Sequence, residues 1–262
     1  MRHIIKVAQT LMNVYYAYML EYRAEIILWV FTGTFPIILM GVWIKASEGG
    51  QFGFTAVEFA RYFIAVFLVR QFNIVWVVWE FEKEVVKGTL SNRLLQPIDP
   101  VWHHFASHVS ERITRLPIIL VLIALFFALY PQAFWVPSWS NVLLAILVCS
   151  MSFCLRFLMQ YTSAMMAFWT ERASAIEQLM LMPYFFLSGL VAPLTVYPDA
   201  VREVIMWTPF PYMIFFPASL LVGLPVNIGR GLLTILAWGI AFFLLNRYLW
   251  RLGLRKYSGM GA

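Results

Sequence analysis

The residues best placed to do chemistry in this 262-residue chain are polar side chains inside long apolar segments. Arg70 interrupts the apolar run over residues 62–79, and Arg156 interrupts a later run, with Gln160 one helical turn further on. A guanidinium within a membrane is costly, so it faces a partner, a cavity or a pathway. Two interpretations stay open. These side chains contact a polar or anionic part of a transported molecule along a translocation path, or they bridge helices and snorkel toward the surface.

A second group, His104, His108 and Glu111, has the i, i+4, i+7 spacing of one helical face, which is compatible with metal binding. No fourth ligand is evident, and the sequence lacks the H-E-x-x-H motif of zinc hydrolases. The segment FLSGL does not match the G-x-S-x-G nucleophile elbow, and Ser188 has no histidine on its predicted side of the membrane. We therefore predict neither a metal site nor a catalytic residue.

The composition is that of a polytopic membrane protein. Hydrophobic residues make up 62% of the chain and charged residues 12%, whereas soluble domains carry about 25% charged residues. The net charge of +6 would suggest nucleic acid as a partner of a soluble domain. In a membrane chain it reflects cytoplasmic anchoring, so nucleic acid is excluded and membrane lipids are the expected surroundings.

Apolar stretches of about 20 residues predict six membrane-spanning helices. The pattern is interrupted at residues 130–141, where prolines and tryptophans indicate a tight turn at headgroup level. The predicted spans are residues 26–44, residues 62–79, two spans between Leu116 and about Trp169, a fifth from about Ile176 past Pro183, and residues 231–250.

Residues 204–229 lack charge but contain four prolines, which disfavours a regular span. With six crossings, most lysines and arginines lie on one side, so both termini are predicted to be cytoplasmic. The proline-rich piece then belongs to an extracytoplasmic re-entrant helical hairpin, about residues 191–229. We expect Gly189, Pro193 and Pro198 to break the fifth helix and form an outer gate; a plain helix end followed by a surface loop is the alternative.

The first 24 residues predict an amphipathic helix lying in the cytoplasmic interface. Its apolar residues recur at helical spacing, and polar residues occupy the rest of the wheel. Residues 25–262 then form one six-span domain. The apolar positions of the helix are Ile4, Val7, Ala8, Leu11, Tyr15 and Tyr18.

Residues 82–100, EKEVVKGTLSNRLLQPIDP, are the longest polar stretch and lie in the largest cytoplasmic loop, about residues 81–115. The pattern predicts a helix that Gly88 ends or kinks, followed by a second short helix that Thr89 or Ser91 caps. Such an element favours docking of another protein, and a surface loop against the headgroups is the alternative. The apolar ridge of the second helix would consist of Leu90, Leu94 and Leu95.

This stretch resembles the region after the second span of ABC-2-type transporter permeases, where charged residues precede Gly-Thr-Leu, a Leu-Leu pair and proline. FLSGLVAPLTVYPDAVREVIMWTPFPYMIFFP resembles the family's small-residue break followed by spaced prolines. The closing RKYSGMGA resembles the tail of a bacterial subgroup often found as two different permease chains encoded together. The resemblance covers essentially the whole chain.

The resemblance implies an all-α, multi-pass subunit of a bacterial ABC exporter in the cytoplasmic (inner) membrane. It implies a homodimer, or a heterodimer with a second permease, joined to two copies of a separate ABC ATPase. The sequence contains no G-x-x-x-x-G-K-[ST] loop, so ATP and Mg²⁺ would bind the partner ATPase, and this chain would carry no cofactor and no enzymatic activity. The cargo would be a lipid, glycan, peptide or drug-like molecule. A secondary transporter and a non-transporting membrane scaffold are the alternatives.

The resemblance also implies that residues 82–95 form a coupling helix that docks on the ATPase. Gly88 and Thr89 would shape it, and Lys87 stands where the family has an acidic residue, so the charge pairing departs from the family pattern. The implied charged contacts are Glu82, Glu84, Lys87 and Arg93, and the implied apolar contacts are Leu90, Leu94 and Leu95.

Overall fold

The computed structural model describes residues 2–50 and 52–257, with side chains from residue 5 onward. Ile4 of the predicted apolar face and the last five residues of the RKYSGMGA motif lie outside the described residues. Regular structure in the described part of the chain is helical throughout, which confirms the all-α prediction. The helices are α1 Arg2–Glu21, α2 Arg23–Thr32, α3 Phe35–Ser47, α4 Ala56–Asn73, α5 Val77–Val86, α6 Leu90–Leu94, α7 Val101–Leu129, α8 Trp139–Ala164, α9 Ser174–Leu187, α10 Asp199–Ile205, α11 Phe215–Val222 and α12 Ile228–Lys256.

Five helical segments of the described residues are long and apolar enough to cross a membrane. They coincide with five of the six predicted spans. The predicted fifth span corresponds to α9, which has 14 residues and is therefore about 21 Å long, shorter than the hydrocarbon core of about 30 Å. The six-span count stays a prediction. The five segments are Arg23–Ser47, Ala56–Val86, Val101–Leu129, Trp139–Phe168 and Ile228–Lys256.

The second segment, Ala56–Val86, is the central helix of the bundle and is broken between α4 and α5 at residues 74–76. A break frees backbone groups that must find partners inside a membrane protein. Arg112 of α7 donates to the carbonyl oxygens of Phe72 and Ile74, and Nε2 of His108 accepts the Trp76 N–H at 3.1 Å. Side chains of α7 therefore replace the missing helical hydrogen bonds.

α7 begins at Val101, so residues 101–115, predicted as part of the loop, are its first four turns. Arg112 and Arg115 consequently lie inside the bundle, and Arg115 is 1% exposed. The amino-terminal helix α1 packs along this part of α7. Tyr15 Oη lies 3.1 Å from Nδ1 of His103, and the Ser110 hydroxyl donates to the Met12 carbonyl at 3.3 Å.

At the opposite end of the bundle, the chain after α9 folds back against α4 and α8. The Phe215 N–H at the start of α11 donates to the Ser188 carbonyl at 2.8 Å, and Trp43 Nε1 donates to the Val191 carbonyl at 2.7 Å. α11 is buried along most of its length. The proline-rich segment is therefore packed protein rather than a free loop.

Candidate functional site

The polar stretch after the second span forms a sharp bend between α5 and α6. Gly88 makes the bend with φ +72°, a left-handed conformation that glycine adopts without steric cost. The Gly88 N–H donates to the Val85 carbonyl at 3.1 Å, and the Ser91 hydroxyl donates to the Gly88 carbonyl at 2.6 Å. Thr89 occupies the N-cap position of α6 without a side-chain capping bond. Local backbone chemistry thus fixes the bend.

An ion pair joins the two helices on either side of the bend. Arg93 Nη2 of α6 lies 2.7 Å from Oε1 of Glu84 on α5, and both side chains are largely buried. The Thr89 hydroxyl donates to the Glu84 carbonyl at 3.4 Å. Two of the four charged residues assigned to the ATPase contact therefore pair with each other, and they hold α6 against α5.

A third, Glu82, connects the bend to the predicted fifth span. Its carboxylate accepts the Ser174 N–H at 2.6 Å and the Ser174 hydroxyl at 3.1 Å. Ser174 is the first residue of α9, where unpaired backbone N–H groups and the helix dipole favour an anion. Glu82 therefore caps α9 from outside, and a displacement of α5 would reach that helix directly.

The three leucines of the predicted ridge differ in exposure. Leu90 is 0% exposed and belongs to the core around Phe81 and Trp250, Leu94 is half-buried against that core, and Leu95 is 87% exposed. The outward surface of the bend also includes residues that the ridge pattern does not single out. The exposed side chains of the bend are Lys83, Val86, Lys87, Thr89, Asn92 and Leu95.

His104 lies behind the bend, between two carboxylates of α5. Its Nδ1 is 3.4 Å from Oε2 of Glu80, and its Nε2 is 3.4 Å from Oε2 of Glu84. His108 donates from Nδ1 to the His104 carbonyl at 2.8 Å, which leaves its Nε2 as the acceptor for Trp76. Among the described residues, no group of three His, Cys, Asp or Glu side chains is placed to hold a metal ion.

Arg156 and Gln160 of α8 converge on a carboxylate that sequence patterns do not single out. Arg156 Nη2 and Gln160 Nε2 approach Oε1 of Glu177 at 2.6 and 2.7 Å, and all three side chains are buried. The Arg156 guanidinium also lies over the Tyr184 ring at 4.4 Å. The group bridges α8 and α9. In the sequence, the one mark of this carboxylate is that Glu177 is an acidic residue in the first turn of a mainly apolar helix.

Arg70 lies apart from that bridge. Its Nη1 donates to the Gly33 carbonyl at 2.8 Å, where the first segment is broken between α2 and α3. Its side chain lines a cavity of about 740 Å³ beside α1 and α7. The structure therefore does not bring Arg70 together with Arg156 and Gln160 in one site.

The predicted gate residues lie at the other end of the bundle. Gly189 has φ +86°, and its carbonyl accepts the Tyr62 hydroxyl at 2.7 Å. Pro193 is buried, whereas Pro198 is exposed at the start of α10. The helix break at Gly189 is therefore attached to the central helix α4.

Comparison with known families gives a match over nearly the whole chain. The sequence model described as "ABC-2 family transporter protein" matches residues 27–261. A comparison with curated proteins gave no match. The match includes the α5–α6 bend, the α8–α9 bridge and the proline-rich segment. Members of this family are membrane subunits that have no ATPase of their own and associate with an ABC ATPase. The chain belongs to the ABC-2 transporter family, as a multi-pass membrane permease component of an ABC transporter.

Proposed function

We propose that this chain is one permease half of an ATP-driven exporter and that the α5–α6 bend is its coupling element. The bend offers a partner an exposed surface of two lysines, Val86 and Leu95, set on a rigid base. The mixed apolar and basic character of this surface suits a groove with acidic edges on a separate ATPase. Two ATPase copies would serve a dimer of this chain or a pair with a second permease, and ATP and Mg²⁺ would bind there.

The observation that carries this proposal is the contact between Glu82 and Ser174. A coupling element must pass motion on, and Glu82 joins the bend to the first turn of α9 through two hydrogen bonds. α9 ends at Leu187, directly before Ser188 and Gly189, where the outer segment begins. Pushing on the bend would therefore tilt α9 and shift the contacts of Gly189 with α4.

The orientation follows from the distribution of charge. Asp99, just after α6, pairs with Arg247 of α12 at 3.1 Å, so the bend and the carboxyl-terminal turns of α12 share one end of the bundle. That end is rich in cations, and the positive-inside rule assigns it to the cytoplasm. Both termini would then be cytoplasmic, and residues 191–229 would roof the outer face of a bacterial inner membrane. The basic residues at this end include Lys83, Lys87, Arg172, Arg251, Arg255 and Lys256.

Transport would proceed outward. Hydrolysis on the two ATPases would move the bends, open a path between the two permease halves and release a lipid, glycan, peptide or drug-like cargo at the outer segment. Gly189, Pro193 and Pro198 would act as the gate there. If cargo passes between the two permease halves, the Arg156–Glu177 pair, which joins α8 and α9 within one half, stays intact as a structural element.

The test uses this chain co-expressed with an ABC ATPase that co-purifies with the unmodified chain. Leu95→Asp should abolish co-purification of the ATPase, because it places a charge in the apolar centre of the contact. Val136→Asp, at an apolar position that is 78% exposed at the other end of the bundle, is the matched control and should leave co-purification unchanged. Equal ATPase recovery with both variants would exclude the bend as the docking surface and would favour a scaffold or a secondary transporter.

A further inference from the structure

A cavity of about 740 Å³ lies where the chain passes from α1 into α2. Its volume falls within the range of small-molecule sites, about 300–1,000 Å³. Its walls include Tyr18, Tyr22, Trp29, Trp76 and Trp79. Tyrosine and tryptophan concentrate at the headgroup level of a membrane, and α1 is the helix predicted to lie in that interface. We therefore expect the cavity to lie at the depth of the phospholipid headgroups.

One wall of the cavity carries a buried guanidinium with unused donors. Arg115 is 1% exposed and pairs with Glu111 one turn earlier on α7. Its Nε and Nη1 have no hydrogen-bond partner among the described residues. Its charge also lies 5.3 Å from the centre of the Trp76 ring. Buried donors without partners cost free energy, and an anionic oxygen in the cavity would satisfy them.

A second cation lines the same cavity. Arg70 donates one hydrogen bond, to the Gly33 carbonyl. Within the described residues it forms no ion pair. A guanidinium has five N–H donors in a planar fork that matches phosphate geometry. Arg70 and Arg115 together therefore offer a site for a phosphate group.

The cavity also has carboxylates, so a purely anionic ligand does not match it. Glu25 accepts from Trp29 Nε1 at 3.3 Å, and Glu80 accepts from Trp76 Nε1 at 3.2 Å. If Glu111 and Arg115 are counted as a neutral pair, the charged residues left among the described lining are Arg70, Glu25 and Glu80, and Glu80 also faces His104. Tryptophan faces add to the attraction for an organic ammonium group. A ligand that carries both signs of charge fits this lining.

We propose that this cavity binds the zwitterionic headgroup of a phospholipid. The phosphate lies at Arg70 and Arg115, and the ammonium group lies against Glu25, Glu80 and the tryptophan faces. The site is built within one permease chain and is distinct from the ATPase-docking bend. It does not depend on the direction of transport or on the partner.

The experiment measures lipid retention by the purified, delipidated full-length chain in detergent, using native mass spectrometry. Phosphatidylethanolamine and phosphatidylglycerol with identical acyl chains are titrated separately, and free phosphoethanolamine is tested as a competitor. Phosphatidylethanolamine should bind about tenfold more tightly than phosphatidylglycerol, because the second lipid lacks the ammonium group. Arg70→Gln should weaken binding of both lipids about tenfold. Glu25→Gln should weaken phosphatidylethanolamine binding and leave phosphatidylglycerol binding unchanged.

Glu48→Gln is the control, because Glu48 is an exposed carboxylate that pairs with Lys45 away from the cavity. Arg70→Gln and Glu25→Gln change a half-buried and an exposed side chain, so both variants should fold. Arg115→Gln is not used, because Arg115 is buried and its replacement would impair folding. Equal binding of the two lipids would overturn the zwitterion assignment. If Arg70→Gln retained lipid as well as the wild-type chain does, the cavity would not be the lipid site. Displacement by free phosphoethanolamine at the lipid's own concentration would assign the cavity to a soluble ligand instead of a lipid.

Discussion

Arg93 and Glu84 form a 2.7 Å ion pair that joins α6 to α5 across the Gly88 bend. The same carboxylate group of Glu84 lies 3.4 Å from Nε2 of His104 on α7. Glu84 therefore links three helices behind the surface proposed to meet the ATPase. Its role in coupling would be to keep the bend rigid, and the exposed lysines and Leu95 would make the contact.

Reversing this charge gives the first prediction. Glu84→Arg places a second cation beside Arg93 and removes the carboxylate that faces His104, so α6 should separate from α5. ATP-driven transport should fall about fivefold or more, and the chain should still insert into the membrane. The measurement is transport and ATPase activity in proteoliposomes that contain both subunits. Glu48→Arg, a charge reversal at an exposed position of the opposite end, should transport normally. Normal transport by Glu84→Arg would remove the bend from the coupling route.

The contact between Glu82 and α9 gives the second prediction. Glu82→Gln keeps one acceptor but loses the charge at the first turn of α9, and Ser174→Ala keeps the N–H bond but loses the hydroxyl bond. We expect coupling efficiency, measured as cargo moved per ATP hydrolysed, to fall more in Glu82→Gln than in Ser174→Ala. The double variant should resemble Glu82→Gln, since the two residues share one contact. Additive losses would mean that the residues act independently.

The bend was predictable from the sequence because its determinants are local. Gly88 follows a run of helix formers and precedes Thr89 and Leu90, and a left-handed glycine at that point is what the backbone requires. Helical spacing places Leu90 and Leu94 on one face, but spacing does not say whether that face meets a partner or the chain's own core. Leu90 packs inward because it shares a buried cluster with Phe168, four residues after α8, and Trp250 of α12.

Contacts between distant segments were not predictable. Charge counting places Arg112 in a cytoplasmic loop, whereas it binds carbonyl oxygens about 40 positions earlier in the chain, at the break in the central helix. The break at residues 74–76 contains no proline or glycine, so the sequence does not predict it. Glu177 likewise reaches Arg156 only because α8 and α9 are neighbours. Such partners depend on the order of helices in the bundle, which a single sequence does not encode locally.

The helix break at Gly189 gives the third prediction. Gly189→Ala should destabilise the protein, because φ is +86° and a Cβ there would meet the Tyr62 hydroxyl and Cβ of Phe215. Tyr62→Phe removes a buried hydrogen bond to the Gly189 carbonyl and should cost about 1–2 kcal/mol. Thermal unfolding in detergent measures both. Gly239→Ala in α12, where a Cβ would meet nothing within 4 Å, should leave the melting temperature unchanged or raise it. Equal melting temperatures for the two glycine variants would mean that the break is not constrained.

The α8–α9 bridge separates the two interpretations of Arg156. Breaking a buried pair by removing one partner leaves an uncompensated charge and costs about 3–5 kcal/mol, whereas replacing both partners with apolar residues of similar volume is often neutral. Arg156→Met and Glu177→Met should therefore each lower the melting temperature, and the double variant should recover most of the loss. If Arg156 serves only as a bridge, transport by the double variant should recover together with stability. The part of the loss that remains comes from Gln160, because Glu177→Met removes the acceptor of its Nε2. A stable double variant that no longer transports would instead assign the Arg156 guanidinium to contact with cargo, and the translocation path would then run between α8 and α9.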